Sequence, residues 1–74
     1  MKRNVKLTIE KLKELRYELK LTQAQFATKI GKSVSTIQSI ECGRLAISAK
    51  FEIEVKVFLE HSEYFDLIEK YLLK

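Results

Sequence analysis

Between Ser33 and Ser39 the chain gathers small hydroxyls, one amide and one branched aliphatic: Ser33, Val34, Ser35, Gln38 and Ser39. Such side chains suit the recognition of hydrogen-bonding edges. Gln offers a donor and an acceptor side by side and can pair with adenine, Ser donates or accepts, and a Val methyl packs on a thymine methyl. Catalysis finds no comparable grouping. No nucleophile is paired with a base, and no glycine-rich loop is present to cradle a phosphate. One cysteine (Cys42) and one histidine (His61) do not form a metal-ligand set. Glu52 and Glu54 lie two residues apart, on different helix faces, and read as surface charge. The residues imply no enzyme, no metal and no cofactor.

The elements that hold this cluster must be short, because 74 residues make one domain with one modest core. There is no proline and there are only two glycines, a composition that favours helices with tight connections. No apolar run approaches the roughly 18–20 residues of a membrane span, and no signal-peptide core follows Met1-Lys2-Arg3. With a lone thiol that suits a reducing compartment, the expectation is a cytoplasmic protein. The net charge of +4 is unevenly spread. Residues 1–50 carry eleven Lys and Arg against four Glu, whereas residues 51–74 carry three Lys against six acids. A basic front and an acidic tail suggest one surface for a polyanion and another for a different task.

Five helices are predicted. Thr8 caps the first, over about 8–20, with Ile9, Leu12, Leu15 and Leu19 on its apolar face. Thr22 and Gln25 form a capping-box pattern for the second, whose apolar face is Phe26, Ala27 and Ile30 and whose end is Gly31. Ser33 caps the third, which buries Ile37 and Ile40 and ends at Gly43. Ser48 caps the fourth, with Phe51, Val55, Phe58 and Leu59 inward, and Ser62 caps the fifth. Residues 1–7 are read as a basic arm, 8–60 as the main domain and 61–74 as an added C-terminal helix.

Counted from Gln23, a unit of about twenty residues emerges that docks two short helices across a tight turn. It needs a small residue where the helices cross (Ala27), a residue tolerant of positive φ in the turn (Gly31) and two apolar anchors on the second helix (Ile37, Ile40). At about 100° per residue, Ile37 and Ile40 inward leave Ser35 outward with Gln38 and Ser39 beside it. Leu12-Lys-Glu-Leu-Arg16, Leu21-Thr-Gln-Ala-Gln-Phe-Ala27, Ile30-Gly31 and Ser35-Thr-Ile-Gln-Ser-Ile-Glu41-Cys-Gly43-Arg44 stand in that order. This stretch resembles the phage repressor/Cro-type (Xre-like) helix-turn-helix family, over about residues 9–59. The resemblance implies an all-α, compact five-helix repressor-like DNA-binding domain with its helix-turn-helix at about 23–42.

It also implies roles. Ser33, Val34, Ser35, Gln38 and Ser39 would meet base edges, and Gln23 would bond the sugar-phosphate backbone from the start of the second helix. Arg44 and Lys50 would reach phosphates, with Lys32 and the arm residues Lys2, Arg3 and Lys6 as further cations. Arg16 and Glu41 would pair and tie the reading helix to the scaffold. Cys42 stands where relatives often place an Asn that contacts phosphate, and the loop Leu45-Ala46-Ile47 lacks the proline common there. Both are departures from the family pattern.

The last helix carries Tyr64, Phe65, Leu67, Ile68, Tyr71 and Leu72. This band either closes the monomer's core or forms a twofold interface, with Tyr64, Phe65, Ile68, Tyr71 and Leu72 as interface candidates. The expected function is a sequence-specific regulator of repressor type, from a phage or mobile element, that binds a double-stranded DNA operator as a homodimer. Two alternatives stay open. One is an antitoxin or restriction-control protein that autoregulates its operon and holds a protein partner through the tail. The other is an interaction module that has lost DNA binding.

Overall fold

Leu12, Leu15 and Leu19 recur three and four residues apart, and all three side chains are buried, so the first apolar face points inward. The computed structural model describes residues 6–72. Five helices follow one another there: α1 (Ile9–Glu18), α2 (Gln23–Ile30), α3 (Val34–Glu41), α4 (Ala49–Glu60) and α5 (Asp66–Leu72). Among the described residues there is no strand, and no helix is long and apolar enough to cross a membrane. The fold is all-α. Lys2 and Arg3 of the basic arm lie outside the described residues.

Four helices begin on their hydroxyl caps. Thr8 accepts from the Lys11 N–H (3.1 Å), Ser33 from Thr36 (3.2 Å) and Ser48 from Phe51 (3.0 Å). At α2 the box is reciprocal: Thr22 Oγ1 accepts from the Gln25 N–H, and Gln25 Oε1 accepts from the Thr22 N–H at 2.9 Å.

Three helices end alike. A residue with positive φ turns the chain, and the next N–H reaches back to an orphan carbonyl. The turning residues are Lys20 (φ 60°), Gly31 (73°) and Gly43 (88°). The returning bonds run from Leu21 to Arg16, Lys32 to Ala27 and Arg44 to Ser39. A β-carbon is disfavoured in this conformation, so Lys20 is strained where the glycines are not. The left-handed turn at Lys20 ends α1 at Glu18, short of the expected residue 20, because a good helix former and not a glycine makes the turn and so gives no stop signal in the sequence. Lys20→Gly is expected to raise stability by about 1 kcal/mol. That amounts to about 4–8 °C in a thermal melt. An unchanged or lower midpoint would show that the turn carries no strain.

All five helices share one core, in which α2 packs on α3 and α4, and α5 packs on α1 and α4. Phe26 is fully buried and meets the Phe58 ring edge-on, centroids 6.3 Å apart at 85°. Leu7, read as the end of the basic arm, also belongs to the core at 3 % exposure. The Lys6 and Leu7 N–H groups both donate to Glu52 Oε2, at 2.6 and 2.8 Å. Glu52 is thus a buried anchor that pins the approach to α1 onto α4, not a surface charge.

The C-terminal segment departs most from expectation. Ser62 does not cap α5. Its hydroxyl donates to the Leu59 carbonyl and accepts from the Tyr64 N–H, stitching a turn, and α5 starts four residues later at Asp66. Ile68, Tyr71 and Leu72 are buried in the monomer's own core, so these three are not available as a dimer interface. Of the five interface candidates only Tyr64 and Phe65 remain exposed. A polar clasp completes the docking: Tyr71 Oη donates to Glu18 Oε1 at 2.7 Å, and Lys70 Nζ donates to the same atom at 3.0 Å. The Tyr71 hydroxyl, then Lys70, hold the Glu18 carboxyl below its ordinary range.

Candidate nucleic-acid interface

Ala27, 2 % exposed, leaves room for α3 to cross α2 closely, and the three-residue turn Gly31-Lys32-Ser33 joins the helices. Nothing stands within 4 Å of a β-carbon built on Gly31, so the glycine is needed for its backbone angle and not for space. Ile37 and Ile40, at 0 and 1 % exposure, plant one side of α3 in the core. The opposite side carries Val34, Ser35 and Gln38, all exposed, and a half-buried Ser39.

Ser35, Gln38, Ser39, Cys42 and Arg44 line one open depression beside α3. The left-handed turn at Gly43 is what brings Arg44 back alongside the helix. On the other flank a second depression brings Thr36 together with Lys32 and Lys50. The neutral face of α3 is thereby bordered by Arg44 on one side and by Lys50 on the other, where Glu54 shares the depression with Lys32. Arg44 and Lys50 are exposed.

Three candidate residues already have intramolecular bonds. Ser33 Oγ caps Thr36 and also meets Thr36 Oγ1 at 3.0 Å. Lys32 Nζ is 2.8 Å from Glu54 Oε1. The Gln23 amide donates to Glu41 Oε1 at 3.0 Å. Cys42 is exposed and lies at the edge of the Arg44 depression, with Sγ 3.5 Å from the Ser39 carbonyl. His61 is exposed at the end of α4, and no metal-holding group of His, Cys, Asp and Glu exists among the described residues.

Beneath the face lies a two-point ion pair. Arg16 Nε and Nη2 donate to Glu41 Oε2 and Oε1 at 2.7 and 2.9 Å, and Nη1 donates to the Leu21 carbonyl at 3.1 Å. The two side chains are 9 and 4 % exposed. One guanidinium therefore fastens α1, the α1–α2 turn and the end of α3 together. Burial pushes the Glu41 carboxyl upward, but hydrogen bonds from Arg16 and Gln23 and the charges of Arg16 and Lys13 outweigh it, and the group lies below its ordinary range. The Arg16 guanidinium, charged at any pH, has its pKa raised further, chiefly by its bond to Glu41.

The Glu52 anchor was not visible in the sequence, since its partners are backbone groups 45 and 46 residues away. Cys42 as a lining residue follows from its place next to Gly43, although a thiol gives no positive signal for DNA. No curated protein and no solved structure matches the chain. The Helix-turn-helix family model matches residues 12–51, more than half of the chain and all of α2 and α3. With that match and this geometry, the chain belongs to the Cro/C1-type (Xre-like) helix-turn-helix family of DNA-binding transcription regulators.

Proposed function

We propose that the protein is a sequence-specific repressor of phage or mobile-element type that occupies a double-stranded operator in the cytoplasm of a bacterial or phage-infected cell. The observation that carries this reading is the exposed, uncharged side of α3 bordered by Arg44 and Lys50. In it α3 enters the major groove. Val34, Ser35, Gln38 and Ser39 meet base edges, while Ser33 stays with its capping bonds. Gln23 at the start of α2, Arg44 and Lys50 hold the backbone, and Lys32 reaches phosphate only if Glu54 releases it.

The face carries no Lys or Arg, so base contacts contribute modestly and phosphate contacts with DNA shape supply much of the rest. An eight-residue reading helix spans about 12 Å, enough for part of one groove. A second copy on a half-site about 34 Å away would multiply the specificity. We therefore include a homodimer in the proposal. Tyr64 and Phe65 remain exposed for it, and Ile53 and Val57 one turn apart on the outer side of α4 add apolar surface. Sedimentation equilibrium should give twice the chain mass at micromolar protein, and a monomer at all concentrations would remove the dimer.

Selection of bound sequences from a random duplex pool tests the reading itself, followed by binding of variants. Ser35→Ala or Gln38→Ala should relax preference at one or two base pairs, at about 1–3 kcal/mol against the selected site. Arg44→Ala should weaken binding to every sequence alike and make the log–log salt dependence shallower by about one. Unchanged preference in both α3 variants would take the readout away from α3. A salt slope near zero for the wild type would favour a module that has lost DNA binding.

A further inference from the structure

Glu41 lies on the scaffold side of α3, and its charge alone would repel phosphate. Arg16 neutralises it through two hydrogen bonds. Its Oε1 nevertheless accepts a third, from Gln23 Nε2 at 3.0 Å. A carboxylate can only accept, so the nitrogen of the Gln23 amide, and not its oxygen, must face Glu41. The amide is fixed in one of its two flips. It keeps a second N–H, roughly 120° from the first, and its carbonyl oxygen, neither of which has a partner among the described residues. Gln23 is also the first residue of α2, where the helix presents its own unpaired N–H groups.

We infer that Glu41 is a positioning residue for DNA binding, holding the Gln23 amide so that its remaining N–H is set for the DNA backbone. The inference rests on the reading that Gln23 meets the sugar-phosphate backbone. The chain Arg16–Glu41–Gln23 then has two jobs. It fastens α3 to α1, and it removes rotamer freedom from a side chain at the edge of the interface before DNA arrives. A flexible glutamine loses that freedom on binding, whereas one already held does not.

The test is a binding cycle on the full chain with a short random-sequence duplex at fixed salt, each fold checked by circular dichroism. In the wild-type background Gln23→Ala should weaken binding roughly ten- to hundredfold, as for one hydrogen bond to a charged group. The second background is Arg16→Met with Glu41→Met, which removes both charges together and leaves no guanidinium unpaired. There Gln23→Ala should cost less than about twofold, because the amide is no longer held. Equal cost in both backgrounds would overturn the inference while leaving DNA binding intact. Absence of any wild-type binding at low salt would instead overturn the reading on which it rests.

A second measurement needs no DNA. The side-chain amide resonances of Gln23 should move as Glu41 is titrated with acid and should reach free-glutamine positions in the Arg16→Met, Glu41→Met protein. Resonances that ignore both changes would overturn the inference by themselves.

Discussion

Glu41→Ala is expected to lower the unfolding free energy by about 3–5 kcal/mol. The cost comes from what is left behind. Arg16 would keep a charge in a site where its side chain is only 9 % exposed, with two of its three hydrogen bonds gone. Domains of this kind have roughly 5–15 kcal/mol in total, so the variant should melt far below the wild type. Replacing Arg16 and Glu41 together by Met should cost much less, because the desolvation of two charges disappears with the pair. A single variant as stable as the double one would show that the pair is solvated in solution. Acidification should act in the same direction. Glu41 has a depressed folded pKa, so its contribution is full above the ordinary glutamate range and is lost as pH falls through the lower folded value. The double variant should accordingly lose less stability on acidification than the wild type, when denaturant midpoints are compared across that range.

Phe26→Ala should be as damaging, at about 3–5 kcal/mol. The ring is fully enclosed in the core and meets Phe58 of α4 edge-on, so truncation removes both its burial and that ring contact. The consequence reaches the interface, because Phe26 and Ala27 are the buried residues that seat α2 in the core, and α3 packs on α2. Phe26→Leu should recover most of the loss, since a large apolar group still fills the site. Denaturant unfolding of both variants checks the order, and equal losses for Ala and Leu would show that ring geometry, not volume, decides.

Helix starts were legible because capping is local. Thr8, Thr22 with Gln25, Ser33 and Ser48 each bond an N–H three residues on, within a window any sequence exposes. Ser62 has the same chemistry but turns its hydroxyl back to Leu59, and nothing in its residue type distinguishes the two uses. Lys20 takes a conformation for which glycine is the usual signal, so the end of α1 was overshot. The inward side of α3 followed from Ile37 and Ile40 alone. What covers the apolar side of α5 did not, because an amphipathic helix states that it has a partner without stating which. Burial of Ile68, Tyr71 and Leu72 settles that for three residues. Leu7 and Glu52 depend on a contact about 45 residues long in sequence, and a lone leucine in a basic segment carries no periodicity to reveal it.

Nuclear magnetic resonance of the labelled protein with a short duplex probes the open side of α3 most directly. Backbone and side-chain shifts should change at Gln23, from Val34 to Ser39 and at Arg44, while Ile68, Tyr71 and Leu72 stay in place. Changes gathered on α5 or on the outer side of α4, with the α3 resonances unmoved, would contradict the assignment of DNA binding to this helix.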